Sequence, residues 1–72
     1  MAKKIYSVIM IHESYIEKYV PFTNLAKAKS YFRQILNLIE NYLTKKELAE
    51  AAKKELYYGK DTNIQIIRSE IN

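Results

Sequence analysis

His12 is the only histidine of the 72-residue chain. With Glu13 beside it and Asp61 near a later turn, it marks the one place where acid–base chemistry could be assembled. Such chemistry needs a positioned pair in a pocket. A domain of this size has little room for a pocket of roughly 300 Å³ or more. His12 therefore reads as a turn or strand-end residue, and no enzymatic activity is expected. A structural zinc site needs several Cys or His ligands, and the chain has no Cys, so no metal site is expected. Gly59 is the only glycine. One glycine cannot build a phosphate-cradling loop, so no cofactor is expected either.

The remaining chemistry is that of recognition. Lys29 and Arg33 are like charges at i,i+4, an arrangement that costs a few tenths of a kcal/mol in a helix. Lys27 and Lys18 lie nearby in sequence, and no acid interrupts the group from Lys18 to Arg33. A basic cluster of this kind suits an anionic partner, either a phosphate backbone or an acidic protein face. The net charge is only +4, and lysine outnumbers arginine ten to two. Specific base reading usually recruits the planar fork of arginine, so this balance argues against it. Ile, Lys, Asn, Tyr, Phe and Met make up half the chain. All six have AT-rich codons, so an AT-rich genome accounts for much of the Lys and Tyr content.

Leu43-Thr44-Lys45-Lys46-Glu47-Leu48-Ala49-Glu50-Ala51 resembles the opening helix of a helix-turn-helix motif. The likeness covers nine residues and then stops. Lys53 to Tyr58 continues the helical pattern where a turn should follow. Residues 61–71 read as a strand, which leaves no recognition helix. A capping box followed by an Ala-rich helix explains the same letters.

The elements that must position these residues follow from periodicity. Residues 4–12 read as a strand, with Ile5, Ile9 and Ile11 on one face and Tyr6, Val8 and Met10 on the other. A strand apolar on both faces belongs in the interior of a sheet. Lys3 and Lys4 before this run faintly resemble a signal peptide, but His12-Glu13 follow with no small-residue cleavage site. Tyr15 to Val20 reads as a second strand in a hairpin with the first, with Ile16 and Val20 on one face and Tyr15, Glu17 and Tyr19 on the other. Pro21 belongs at its end or outer edge.

Thr23 or Asn24 caps a first helix of about 20 residues, with Leu25, Ala28, Phe32, Ile35, Ile39 and Tyr42 on its apolar stripe. Thr44-Lys45-Lys46-Glu47 fits the capping box, and Leu43 and Leu48 fit the hydrophobic staple. The first helix should therefore end near Leu43 and a second should start at Lys45 almost without a loop. The second helix is expected to run to about Tyr58, with Lys46–Glu50 and Glu50–Lys54 as outer i,i+4 charge pairs. Gly59 is expected to end it as a left-handed residue. Lys60 to Asn63 is a turn. Ile64 to Ile71 is a third strand, with Ile64 and Ile66 on one face and Ile67 and Ile71 on the other.

The expected fold is one α+β domain of order ββααβ. It carries a three-stranded mixed sheet of order 2-1-3, the third strand parallel to the first, and both helices on one face. The other sheet face is then uncovered. Either Tyr6, Val8 and Met10 or Ile5, Ile9 and Ile11 must point outward. An exposed apolar patch marks an interaction surface, and Tyr and Met are enriched at interface cores. The seven tyrosines include Tyr15 and Tyr19 at the hairpin.

Small, cysteine-free, Lys/Ile/Tyr-rich chains of this plan resemble accessory proteins of phages and mobile elements, the anti-CRISPR proteins among them. The resemblance lies in size, composition and architecture. It implies a stoichiometric inhibitor whose basic and aromatic residues dock on a host defence protein or block its nucleic-acid path. The expected activity is thus non-enzymatic binding of a protein partner, with a homo-oligomer through the open sheet face as a further option. The alternative is a nucleic-acid-binding regulator using the basic helix face. The expected contact residues are Tyr6, Tyr15, Lys18, Tyr19, Lys27, Lys29 and Arg33. The absence of cysteine fits a reducing compartment. No stretch reaches the roughly 20 apolar residues of a membrane helix. A cytoplasmic location without membrane contact is expected.

Overall fold

In the computed structural model, which describes residues 3–71, six elements follow one another: β1 (Lys3–His12), β2 (Tyr15–Phe22), α1 (Leu25–Ile39), α2 (Lys45–Lys54), β3 (Leu56–Tyr58) and β4 (Thr62–Ile71). The class is α+β, with two helices and one four-stranded sheet of order β2-β1-β4-β3. All three strand pairs are antiparallel. β1 lies inside the sheet, between β2 and β4, as its two-sided apolar pattern requires.

The expectation of three strands in a mixed sheet is corrected. α2 stops at Lys54, because Glu55 takes a left-handed conformation (φ 59°) as its C-cap. Leu56-Tyr57-Tyr58, read as the last helical turn, instead forms β3; its aromatic residues favour a pleated surface. β3 runs in the same direction as β1, which is the direction expected for the first strand after the helices. It lies at the far edge rather than beside β1. The chain then turns at Gly59–Asp61, and β4 inserts antiparallel between β1 and β3.

Gly59 also has a different role from the one expected. Its φ is not positive. A Cβ there would stand 3.0 Å from the Thr62 carbonyl oxygen and 3.1 Å from Tyr57 Cε2. Glycine is needed for close approach, and the turn closes with the Gly59 amide donating to the Thr62 carbonyl at 2.7 Å.

α1 is fifteen residues long rather than about 20. The Asn24 side chain caps it, accepting from the Lys27 amide at 3.2 Å. Glu40 ends it, and Leu43 then turns inward to pack against the core. The joint is thus a short loop, closed by the Leu43 amide donating to the Glu40 carbonyl at 3.2 Å. The capping box is present as read. The Glu47 amide donates to Thr44 Oγ1, and the Thr44 amide donates to Glu47 Oε1, both at 3.1 Å. The Lys46–Glu50 and Glu50–Lys54 pairs do not close. Among the described residues the ion pair within 4 Å is Arg68–Glu55.

The core lies between the helices and one sheet face. Val8, Met10, Ile64 and Ile66 meet Ala28, Phe32, Ile35, Leu36 and Ala52, with Tyr6, Phe22, Tyr31 and Tyr57 packed at its margin. The molecule measures 42 × 27 × 15 Å. Its thinnest dimension holds one sheet and one helical layer, with sheet and helices about 10 Å apart, and the described residues form no third layer.

Candidate functional site

Strand register decides which side chains face away from the helices. On β1 the outward set is Ile5, Ser7, Ile9 and Ile11, because Val8 and Met10 face the core. Their partners on β4 are Ser69, Ile67, Gln65 and Asn63. On β2 they are Pro21 across from Ser7, Tyr19 across from Ile9 and Ile16 across from Ile11. Leu56 and Tyr58 of β3 continue the rows of Gln65 and Asn63.

A β-bulge changes the β2 pattern. The pairing steps from Met10↔Lys18 to Ile11↔Ile16, so Glu17 is the extra residue. Simple alternation placed Ile16 with Val20. The bulge moves Ile16 to the open face beside Tyr19, while Val20 pairs with Val8 on the core side. β4 pairs with β1 without a break. Ile64 and Ile66 face the core, and Ile67 faces outward. The face expected for the Ile71 side chain lies outside the described residues.

The open face is uncharged along most of its length and mixes apolar Ile5, Ile9, Ile11, Ile16, Tyr19 and Ile67 with polar Ser7, Asn63, Gln65 and Ser69. From Ile5 to Ile11, and across the partners just named, no charged side chain falls on it; Lys3 at the far end is the first. Tyr19 is 60%, Ile16 64% and Ile67 43% exposed. Ile9 is only 7% exposed although no layer covers it, because Tyr19 and Gln65 flank it on both sides.

The structure separates the residues expected to act together. Tyr19 is on the open face. Tyr6 is on the helix side, packed against the core, with the Arg68 guanidinium 5.7 Å from its ring centroid. Glu55 holds Arg68 in turn with a forked contact at 2.8 and 2.9 Å, and the Arg68 Nε donates to the same carboxylate at 3.1 Å. Tyr6 is therefore part of the packing at that end of the sheet. Tyr15 pairs with His12 at the hairpin end, on the side opposite Ile16, so the bulge takes it off the open face. Lys18 pairs with Met10 and also projects to the helix side.

The basic residues of α1 fall on two flanks. Tyr31 packs on Phe22 of β2, with ring centroids 5.5 Å apart, and Lys27 lies one turn before Tyr31 on that flank. Arg33 lies on the other flank, in the groove that α1 forms with α2, with Ser30, Gln34, Asn37 and Lys45. Lys29 lies one turn before Arg33 and shares its side. The single cluster that the sequence suggested is thus two smaller ones.

His12 does not meet a carboxylate in catalytic geometry. Its Nδ1 is 2.7 Å from Thr62 Oγ1 across the β1–β4 pair. Both residues border an open cleft of about 430 Å³ with Glu17, Glu40, Lys60 and Asp61. Among the described residues no group of three or more His, Cys, Asp or Glu is placed to hold a metal ion. Glu13 occupies the hairpin turn instead, where its amide donates to the Asp61 carbonyl at 3.0 Å. Among the described residues the clearly displaced acidity belongs to Tyr42, an exposed residue at the α1–α2 joint. Its phenol is pushed up to about 12 by Glu40, first as hydrogen-bond partner and then as neighbouring negative charge.

No described helix is long and apolar enough to cross a membrane. Comparison with family models, with curated proteins and with solved structures finds no match to this chain.

Proposed function

We propose that this protein acts without enzymatic chemistry, by occupying an apolar surface of another protein with its uncovered sheet face. The observation that carries this reading is the row of Ile5, Ile9, Ile11, Tyr19 and Ile67. These residues lie among Ser7, Asn63, Gln65 and Ser69 on an uncharged face of a sheet whose other face already holds the core, and Tyr19 and Ile67 are its exposed apolar members. Monomeric soluble proteins rarely leave such a surface open unless it is used. Tyrosine on it adds large, rigid contact area. The resemblance in size and composition to phage accessory proteins supports a finer proposal: a cytoplasmic, stoichiometric inhibitor of a CRISPR-type defence complex.

The test is capture of a host protein by the wild type, compared with two sets of variants. Tyr19→Glu and Ile67→Glu should abolish capture while circular dichroism remains that of the folded protein. Lys29→Glu with Arg33→Glu should leave capture intact. The opposite result would move the site from the sheet to the helices.

The second reading is a nucleic-acid-binding regulator. It is favoured by Arg33 and Lys45, which face one interhelical groove together with the hydrogen-bonding side chains of Ser30, Gln34 and Asn37. The placement of Lys18 on the sheet and of Lys27 on the other helix flank shortens the basic track. Retardation of DNA at low salt, with a steep logarithmic salt slope, would favour this reading; a slope near zero would remove it.

A further inference from the structure

We infer that the free length of β4, from Ile67 to Glu70, takes an extended segment of the partner protein as a further antiparallel strand, with a basic residue of that segment across from Glu70 and an acidic one across from Arg68. The inference rests on reading this sheet as the part of the molecule that docks another protein, and it names the element and the chemistry of the contact.

β3 covers only part of the β4 edge. It pairs Leu56, Tyr57 and Tyr58 with Gln65, Ile64 and Asn63, and the Ile66 amide donates to the Glu55 carbonyl at 3.0 Å. There the cover ends, because Glu55 is the left-handed cap of α2. From Ile67 to Glu70, β4 has β1 on one side and no described strand on the other, and all of these residues are exposed. Backbone groups alternate in direction along a strand. The Ile66 amide points to the β3 side, as does the Thr62 carbonyl that accepts from the Gly59 amide. Arg68 and Glu70 share their phase. Each therefore offers a donor and an acceptor to the free edge, in the spacing of a strand ladder.

The opposite edge of the sheet offers nothing comparable. β2 carries the bulge at Glu17, the charge of Lys18 and the donor-less Pro21, all of which discourage edge pairing. The Ile67–Glu70 stretch has neither bulge nor proline, and its ladder with β1 is unbroken. Its charges are of opposite sign and two residues apart, so they select a matching strand and reject a mismatched one.

Those charges specify the segment. Arg68 and Glu70 border an open cleft of about 310 Å³ with Lys4 and Tyr6. Arg68 spends Nε and Nη2 on Glu55, which leaves Nη1 for a further carboxylate. Glu70 has no ion pair among the described residues. Every strand pair of this sheet is antiparallel. An antiparallel neighbour meets Glu70, Ser69, Arg68 and Ile67 in that order. Its matching sequence is therefore basic, any residue, acidic, apolar. The apolar residue falls beside Ile67 on the open face, so edge and face form one surface. In strand addition the main-chain bonds give affinity and the alternate side chains give specificity.

The probe is the peptide acetyl-Val-Lys-Thr-Glu-Val-amide, titrated to millimolar concentration into isotope-labelled protein and followed by NMR. Saturable shifts centred on the Arg68 and Glu70 amides are expected, with slowed hydrogen exchange at both. The charge-exchanged peptide, acetyl-Val-Glu-Thr-Lys-Val-amide, should bind about tenfold more weakly. Glu70→Pro removes a donor that faces the free edge and spares the β1–β4 ladder, so it should abolish binding. Circular dichroism checks that it folds. If it does not, Glu70→Lys carries the test: it should reject the first peptide and accept acetyl-Val-Glu-Thr-Glu-Val-amide. Absence of saturable shifts, or shifts centred on another element, overturns the inference. Binding of the charge-exchanged peptide as tight as the first also overturns it. Capture of a host protein that Tyr19→Glu abolishes and folded Glu70→Pro leaves intact overturns the inference and keeps the face reading. Peptide binding as expected, with capture lost in Glu70→Pro and intact in Tyr19→Glu, upholds the edge and removes the face reading.

Discussion

The two faces of β1 carry similar side chains and meet different fates. Val8 and Met10 on one face are buried in the core under α1; Ile5, Ile9 and Ile11 on the other have no layer over them. The contrast continues on β4, where Ile64 is fully buried and Ile67 is 43% exposed only three residues later. The difference is therefore not one of hydrophobicity. It arises because the chain has two amphipathic helices and both pack on the same side. A sequence pattern reports that a strand is apolar on both faces. It does not report whether the second face is covered by the same chain, and an apolar face left without a cover is where an interaction surface is to be sought.

Paired truncations test the comparison most directly. Ile64→Ala should destabilise the fold by about 2–5 kcal/mol, through lost transfer energy plus the cavity left among Phe32, Leu36 and Val8. Ile67→Ala should cost under about 1 kcal/mol in dilute solution, as a half-exposed site with no cavity to create. Urea denaturation of both variants at low concentration gives the two values. Repeating it at high concentration sharpens the comparison. Self-association through the open face would make the cost of Ile67→Ala grow with concentration and that of Ile64→Ala far less, whereas costs that do not change with concentration leave the face to a different protein. Equal costs for the two variants in dilute protein would show that Ile67 is covered within the monomer, and the contrast would be lost.

The next test concerns what holds Tyr57 on the covered side and Tyr58 on the open one. That assignment depends on the β3–β4 register, which is set by the turn at Gly59. Gly59→Ala should cost about 1–3 kcal/mol, the usual range for forcing a methyl into a filled space, because the Cβ meets the Thr62 carbonyl at 3.0 Å. This turn also shows where the sequence ceased to be readable. Gly59 stood one residue past a helical pattern, so a helix-ending role was the natural reading. The helix had already ended at Glu55, a residue with no sequence signal for a left-handed conformation, held there while its carboxylate grips Arg68. The three residues between them became an edge strand through tertiary pairing with β4. The bulge at Glu17 was hidden in the same way, among charged residues that fit either phase of a strand. By contrast, the central place of β1, the two helices, the caps at Asn24 and Thr44 and the outward course of Ile67 follow from local patterns. Of the expected contact residues, the structure places only Tyr19 on the open face; Ile16, which joins it, could not be assigned without the register.

The β1–β2 turn governs that register. Glu13 and Ser14 both have positive φ, 49° and 72°, as a tight two-residue hairpin of this hand requires. Neither residue favours that region. Glu13→Asn with Ser14→Gly should stabilise the protein by about 1–2 kcal/mol by relieving local backbone strain, measured as a rise in the denaturation midpoint at unchanged slope. The Ile11↔Ile16 pairing should then be held more firmly, and association through the open face should be at least as strong. A stabilised variant that lost its association would mean that the bulged register is not the one that binds.

Thr44→Ala makes the smallest change and addresses the covered side alone. The Thr44 hydroxyl and the Glu47 carboxylate each satisfy a backbone amide at the start of α2, and the contact lies in the helical layer, with the sheet between it and the open face. Losing the cap should cost about 1 kcal/mol and leave the affinity of the open face for its partner within about twofold, since sites that share no partners act additively. Glu47→Gln keeps one acceptor for the Thr44 amide and should cost less. If Thr44→Ala weakened association as strongly as Tyr19→Glu while circular dichroism stayed native, the helical layer and the open face would be energetically coupled. The separation of the two sides of the sheet, on which the assignment of function to one of them depends, would then fail.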